Sequence, residues 1–245
     1  MSRIELVPLD GIPEVRAGDD LAALIAAAAD SAGIGLQAND ALVVTQKVVS
    51  KAEGRVVELA SVQPSAFALA WAERWDKDAR QVELVLRESA AIVRMGPGGL
   101  IISRTRHGFV CANAGVDLSN VGGGEVATLL PLDPDRSAAA LRARLGVPVV
   151  ISDSFGRPWR NGIVNVAIGV AGLEALVDLR GQPDAFGRTM LATVIAVADE
   201  LASAADLAGG KVDKQPVVVV RGYHWAPSEA GMAPLIMEPE RDLFP

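Results

Sequence analysis

Apolar and polar residues alternate along the chain with two periods, one typical of strands and the other typical of helices. Short apolar or β-branched runs predict strands at residues 4–8, 41–45, 147–152 and 216–221, and a further apolar stretch covers residues 164–170. Helical spacing predicts helices at residues 21–29, 64–90, 137–145 and 191–207. The runs at 100–103 and 109–112 could pair as a hairpin. No repeat of fixed period occurs, and the pattern predicts an α+β protein.

The helix predicted at residues 191–207 has one apolar face. Its members share helical spacing, and they are Leu191, Val194, Ile195, Ala198, Leu201, Ala202 and Ala205. Glu200 points nearly opposite that face, among small residues. It is either a solvated surface residue or a carboxylate that faces another element or a subunit.

Composition narrows the functional classes. Thirty acidic residues against 23 basic ones give a net charge of −7, which argues against a nucleic-acid binder because phosphate neutralisation needs Lys and Arg. The single cysteine, Cys111, excludes an internal disulfide and a Cys-rich zinc site. No apolar run approaches the roughly 18 residues of a membrane span, and residues 1–5 do not resemble the start of a signal peptide. A soluble, cytoplasmic protein is expected.

Several common catalytic motifs are missing from the sequence. It contains neither a Gly-x-x-x-x-Gly-Lys-Ser/Thr loop nor a Gly-x-Gly-x-x-Gly turn, which excludes the standard P-loop and disfavours a dinucleotide fold. The two histidines, His107 and His224, form no zinc-binding pair, and no Gly-x-Ser-x-Gly elbow occurs. Nucleophilic hydrolase chemistry is therefore disfavoured.

A cationic segment follows the strand predicted at residues 41–45. Residues 45–55 contain Lys47, Lys51, two hydroxyls and an arginine, although the whole chain has only five lysines. Ammonium groups beside hydroxyls suit a phosphate. The alternative is a solvated turn without a function. In either case Lys51 is expected to be solvated, so that its loss should leave packing intact.

Two further polar segments carry oxygen ligands. Asp117 and Asn120 lie three residues apart before a glycine loop, and Asp153 and Ser154 follow the strand predicted at residues 147–152, with arginines close behind. Two carboxylates and a hydroxyl are a suitable set for Mg²⁺ or Mn²⁺. The alternative is that each aspartate is a turn or capping residue, which is the more common use of Asp.

Four co-linear segments together resemble the coenzyme F420-0:L-glutamate ligase family, in which F420 denotes a deazaflavin coenzyme. They are residues 43–55, 113–121, 151–162 and 197–201. The resemblance extends from residue 4 to about residue 221 and is to the stand-alone form, without the nitroreductase-like domain of fused members. It implies one ligase domain over residues 1–245, with a division into two intertwined subdomains left open. Mixed sheets with flanking helices and a homodimer are also implied.

The resemblance also implies a reaction and its participants. A GTP-dependent γ-glutamyl ligase would join L-glutamate to F420-0, and then further glutamates, through an acyl phosphate with release of GDP and phosphate. It would need Mg²⁺ or Mn²⁺, assisted by K⁺. The rival hypotheses are a metal-dependent phosphohydrolase acting through the same carboxylates and a non-catalytic nucleotide-binding protein.

Residue roles follow from the same resemblance. Asp117, Asp153 and Ser154 match metal ligands, and Lys51, Asp117 and Asp153 would carry the catalysis. The positions that match nucleotide contacts are Ile12, Pro13, Glu14, Val15, Gln46, Lys51, Asn120, Gly209, Gly210, Lys211 and Gln215. Many members have Ser at the position of Gln46, so an amide would replace that hydroxyl contact.

Overall fold

The computed structural model describes residues 3–118, 125–210 and 213–242. Its strands are β1 (Glu5–Pro8), β2 (Asp40–Thr45), β3 (Val56–Glu58), β4 (Ser89–Met95), β5 (Ile101–Thr105), β6 (Val110–Ala112), β7 (Val126–Thr128), β8 (Val149–Arg157), β9 (Arg160–Ala171), β10 (Val177–Asp178), β11 (Val194–Ile195) and β12 (Val217–Arg221). Its α-helices are α1 (Leu21–Ser31), α2 (Gln46–Ala52), α3 (Ala66–Trp75), α4 (Ala79–Glu88), α5 (Pro134–Leu145) and α6 (Val197–Gly209). Short 3-10 helices occur at Leu59–Ser61, Pro97–Gly99, Asn113–Gly115, Ala233–Leu235 and Pro239–Arg241. The α+β prediction is confirmed.

A five-stranded mixed sheet in the order β1-β12-β2-β8-β9 forms the centre of the fold. β2 and β8 are parallel, whereas the other neighbouring pairs are antiparallel. β2 and β12 supply unbroken apolar stretches because both faces of these strands are covered. Helix α6 packs on β1, β12 and β9, and α5 packs on β8, β9 and α1.

The strand directions bring several segments to one edge of this sheet. β1, β2 and β8 all run toward that edge, and β12 starts from it. The last residue of β2, Thr45, pairs with Ser152, so Asp153 is the first residue of β8 beyond β2. Loops that follow parallel strand ends are the usual place for chemistry in sheets of this kind.

A second group of elements lies between α2 and α5 in the chain. β4-β5-β6 and β3-β7 form two small sheets, and with α3 and α4 they enclose a separate apolar cluster that includes Val82, Val85 and Ile101. The predicted pairing of 100–103 with 109–112 is confirmed by the antiparallel β5–β6 pair, in which Ser103 faces Cys111. β4 was not predicted, because most of its side chains are exposed and supply no burial pattern.

Two predicted helices differ from the structure. The helix predicted at 64–90 is divided into α3 and α4 at Asp76, whose left-handed φ of 52° ends α3. The helix predicted at 191–207 begins only at Val197, so its first six residues were predicted wrongly. Val194 and Ile195 instead form β11 against β10, and Leu191 is 84% exposed. Ala198, Leu201, Ala202 and Ala205 do form the buried helix face.

The C-terminal segment packs on the core of the central sheet. Met232 is buried, and Leu235 and Ile236 pack against the same cluster. Asp135, at the start of α5, accepts hydrogen bonds from the backbone N–H groups of Val170 and Met232, which ties this segment to β9. Within the described ranges, no helix is long and apolar enough to cross a membrane.

Candidate functional site at the edge of the central sheet

The segments predicted to contact a nucleotide adjoin one another at this edge. The Leu9 N–H donates to the Val217 carbonyl at 2.9 Å, and Gln215 Nε2 donates to Asp10 Oδ1 at 2.6 Å. The chain before β12 is thereby fixed against the chain after β1, which continues into Ile12, Pro13, Glu14 and Val15. Two segments about 200 residues apart in sequence therefore meet.

The cationic segment forms helix α2, which starts directly after β2. Lys47 and Lys51 are four residues apart and lie on the same side of this helix. Gln46 is 2% exposed and accepts a hydrogen bond from Ser50 Oγ at 2.8 Å, so its amide side chain lies in the interior. Lys51 is buried as well, and the expectation of a solvated lysine is wrong. Only its charged end reaches a partner near the surface.

Both lysines of α2 form ion pairs with residues to which the family resemblance assigns a role, one in nucleotide contact and the other in metal binding. Lys51 Nζ lies 2.5 Å from Glu14 Oε1, and Lys47 Nζ lies 2.7 Å from Asp117 Oδ2. Charge-assisted bonds of this length fix the orientation of a side chain. Helix α2 thus connects the segment around Glu14 with the loop that carries Asp117.

Asp117 is held in place by its backbone. Its N–H donates to the Thr128 carbonyl and its carbonyl accepts from the Thr128 N–H, at 3.0 and 2.8 Å. Just before it, Asn113 and Ala114 adopt left-handed φ values of 53° and 52°. Such φ values cost energy for residues other than glycine and often occur near functional sites. The backbone of Asp117 is thus fixed by Thr128, and its carboxylate interacts separately with Lys47.

Asp153 lies at the end of the β2–β8 ladder, close to β6. Burial, and next the negative charge of Asp153, raise the pKa of the Cys111 thiol to about 12. Cys111 is therefore an unreactive thiol at neutral pH. Strands β6 and β8 are in contact, which brings the charge of Asp153 within range of this thiol.

Ser154 lies on the other face of the strand. Consecutive residues of a regularly paired strand project to opposite faces, and the pairing is regular from Ser152 to Gly156. Ser154 Oγ donates to Asn165 Oδ1 at 2.6 Å, and Asn165 Nδ2 donates to Asp206 Oδ1 at 3.2 Å. Asp153 and Ser154 therefore present their side chains to different surroundings.

The donor types in this region suit a hard divalent cation. Asp117 and Asp153 offer carboxylate oxygens, whereas the Ser154 hydroxyl lies on the opposite face of β8 and donates to Asn165. In the part of the chain that the structure describes, no three His, Cys, Asp or Glu side chains are gathered as a metal cluster. A cation here would therefore rely on two carboxylates together with substrate oxygens or water, which is usual for Mg²⁺.

The remaining predicted contacts are only partly described. Gly209 ends α6, and a Cβ placed there would lie 3.0 Å from the Gln215 carbonyl oxygen, so a larger residue would push this carbonyl away. Gly210 follows with a φ of 62°. Asn120 and Lys211 lie outside the described residues.

Sequence reasoning missed a set of polar side chains on α6 that hydrogen-bond to the backbone of β9. Asp199 Oδ1 accepts a hydrogen bond from the Ala167 N–H at 2.8 Å, and burial raises the pKa of this carboxyl. Ser203 Oγ donates to the Asn165 carbonyl at 2.7 Å. The available signal was the run of polar residues on a helix of otherwise small apolar residues, but its partners on β9 are not evident from the sequence.

The site and fold thus define an α+β protein with lysines and carboxylates at one edge of a mixed sheet. The family model for F420-0:Gamma-glutamyl ligase matches residues 11–222. The chain is 47% identical to the coenzyme F420:L-glutamate ligase of Methanothermobacter thermautotrophicus over 98% of both chains. It is also 47% identical to the protein of the same name from Methanopyrus kandleri, over 99% of this chain and 97% of the relative. For the Natronomonas pharaonis protein of that name, the identity is 43% over 98% and 93%. The chain belongs to the F420-0:gamma-glutamyl ligase family.

Proposed function

We propose that this protein is a GTP-dependent ligase that adds L-glutamate, and then further γ-linked glutamates, to coenzyme F420-0. The relatives that this chain matches over nearly their full lengths are named coenzyme F420:L-glutamate ligase. The observation that supports the proposal most directly is the ion pair between Lys47 of α2 and Asp117, because α2 starts where β2 ends and Asp153 is the first residue of β8 beyond β2. Phosphoryl transfer needs cations and metal-binding carboxylates in one place.

The proposed reaction has two steps. An oxygen of the F420-0 carboxylate attacks the γ-phosphorus of GTP, and the bond to the β–γ bridging oxygen breaks, which releases GDP and forms an acyl phosphate. The amine of L-glutamate then attacks the acyl carbon, phosphate leaves, and the amine loses a proton as the amide forms. Neither step needs a side-chain nucleophile, which agrees with the absence of a hydrolase triad from the sequence.

Side chains at the sheet edge would bind the charged groups of the substrates. Asp117 and Asp153 would hold Mg²⁺ or Mn²⁺ without the Ser154 hydroxyl, which lies on the other face of β8. When bound, the cation supplies charge neutralisation between the phosphates and the carboxylate. Lys51, with Lys47 beside it on α2, would bind phosphate oxygens. K⁺ is proposed as an assisting cation on the strength of the family alone.

We also propose that the protein acts as a homodimer. Exposed apolar side chains on β4 and on its connection to β5, namely Ile92, Val93 and Leu100, support an association surface. Glu200 is exposed on α6, in agreement with either reading of that residue. Light scattering at micromolar concentration checks this proposal, and a monomeric mass would contradict it.

The test of the proposed reaction is mass spectrometry of F420-0 incubated with the protein, GTP, L-glutamate and Mn²⁺. Products that carry one or more added glutamates, with one GDP released for each, are expected. Phosphate release that does not depend on glutamate would favour a metal-dependent phosphohydrolase. Stoichiometric GTP binding without GDP formation would favour a nucleotide-binding protein.

A further inference from the structure

A cavity of about 340 Å³ lies between the central sheet and the C-terminal segment. Its apolar lining comes from four separate parts of the chain, namely Phe109 and Val110, Phe155, Val166 and Ala167, and Met232 with Leu235, Ile236 and Met237. Among the described lining residues, the charged ones are Arg104, Asp199 and Asp242. A cavity of this size with an apolar wall and a few polar groups is typical of a small-molecule site.

The cavity begins next to the proposed reaction centre. Val166 lines it and is the direct antiparallel partner of Asp153. Directly opposite residues on paired strands lie on the same face, about 5 Å apart. Phe155, which also lines the cavity, follows Asp153 on that face of β8. A molecule bound in the cavity could therefore extend one end to Asp153.

The wall contains aromatic rings in an arrangement that suits a flat ligand. Phe109 and Phe155 meet edge to face with centroids 6.1 Å apart, and His107 stacks on Phe109 at 5.6 Å. Aromatic faces and edges favour a further aromatic ring by stacking and burial of apolar area. Guanosine phosphates fit this lining poorly, because a single arginine would face several phosphate charges, whereas both lysines of α2 belong to the site described above.

We infer that this cavity binds the tricyclic deazaflavin ring of the acceptor substrate, so that the substrate's carboxylate reaches the edge beside Asp153. The inference rests on the proposed function and deepens it. Arg104 supplies a positive charge for an anionic acceptor. Asp199 accepts one backbone N–H with Oδ1 and retains acceptor capacity for an N–H of the ring.

The test separates ring binding from catalysis. Isothermal calorimetry with 5-deazariboflavin, which has the ring but no terminal carboxylate, measures binding to the cavity alone. Steady-state assays with F420-0 measure KM and kcat. Val110→Trp narrows the cavity from an exposed position and should not disturb packing, and Val166→Phe fills it from within. Val194→Trp, at a similarly exposed valine that does not line the cavity, is the matched control.

Both cavity variants are expected to weaken 5-deazariboflavin binding at least tenfold and to raise KM for F420-0 at least tenfold. KM for GTP should change less than twofold, and Val194→Trp should match the parent. If Val110→Trp folds and keeps the parental affinity for 5-deazariboflavin and the parental KM for F420-0, the inference is overturned. Glutamate transfer by the parent protein would still uphold the proposed function. If the parent transfers no glutamate, the proposed function fails. In that case, if the parent protein binds 5-deazariboflavin and both variants do not, the cavity is still supported as the ring site. If the parent protein does not bind 5-deazariboflavin, the inference is overturned.

Discussion

Lys47 Nζ lies 2.7 Å from Asp117 Oδ2, which joins the first turn of α2 to the loop before β7. The two residues are 70 positions apart in the chain, and each belongs to a segment with an independent chemical prediction, one for phosphate and one for metal. The side chains are 24% and 37% exposed, so water screens the pair only in part. The ammonium group and a divalent cation would therefore compete for the same carboxylate.

Replacing Lys47 with Met should strengthen Mn²⁺ binding measured without nucleotide. The change removes a competing positive charge but keeps most of the side-chain volume, and a partly exposed pair worth up to about 1 kcal/mol corresponds to roughly a fivefold change in affinity. Calorimetric titration with Mn²⁺ measures it. Lys77→Met, at an exposed lysine in the turn between α3 and α4, serves as the control. Unchanged or weaker Mn²⁺ binding by the Lys47 variant would contradict metal ligation by Asp117.

Asp117→Asn and Asp153→Asn should each lower ligase activity by orders of magnitude. Charge stabilisation at the transferring phosphoryl group supplies most of the rate in such reactions, and each variant loses one charge at nearly constant volume. Stability should stay within about 1 kcal/mol of the parent. GDP release in the presence of F420-0 and glutamate, measured beside thermal melting, tests both statements. Asp30→Asn at the exposed end of α1 is the control, and near-parental activity of both site variants at limiting Mn²⁺ would remove the proposed metal site.

Lys51→Met should weaken GTP binding by on the order of 2–5 kcal/mol, because it removes the charge proposed to bind phosphate. Met is preferred to Ala here, since the buried lysine stem packs in the interior and Ala would leave a cavity. Glu14→Gln provides the matching test: it releases the Lys51 ammonium from a carboxylate 2.5 Å away, and GTP binding should stay equal or improve. Calorimetry measures both variants. Parental GTP affinity in folded Lys51→Met would refute the phosphate role.

Arg221→Ala should destabilise the fold by on the order of 3 kcal/mol at pH 7, because it leaves the fully buried Asp40 carboxylate without its partner. Burial by itself would raise the pKa of Asp40, but the hydrogen bonds from Arg221 and from the Gln37 N–H outweigh it and hold the pKa below the ordinary value of 3.8. A lowered pKa means that the pair contributes its stability above pH 3.8 and loses it as the pH falls through the folded value.

Urea unfolding of parent and variant from pH 7 to pH 3 measures this loss, and the difference between them should shrink toward the acidic end. Arg144→Ala removes the partner of Asp20 in an exposed pair that water screens, so stability should change little at any pH. A constant difference over the whole pH range would mean that Arg221 acts through packing and not through the Asp40 charge.

The sequence by itself determined the elements whose pattern is strong and local. β1, β2, β12 and the β5–β6 hairpin agree with the predicted runs, because continuous β-branched or apolar stretches between turn residues leave few other conformations. It also supplied the oxygen-donor and lysine segments, since those depend on residue type alone, and the four ordered motifs sufficed for the family. The start of α6 was missed, because the chain at Val194 and Ile195 pairs with β10 and long-range pairing overrode local helical spacing.

Tertiary structure alone decided which segments meet. The parallel pairing of Thr45 with Ser152 and the antiparallel return of β12 bring residues 10–15, 46–51, 153 and 215 to one edge, and no local propensity contains that information. It also buried Lys51, which its charge alone had suggested would be solvated, and placed Asp153 and Ser154 on opposite faces of β8. Contacts between distant residues depend on strand order and register, and these are selected by burial of the whole sheet and not by any one segment.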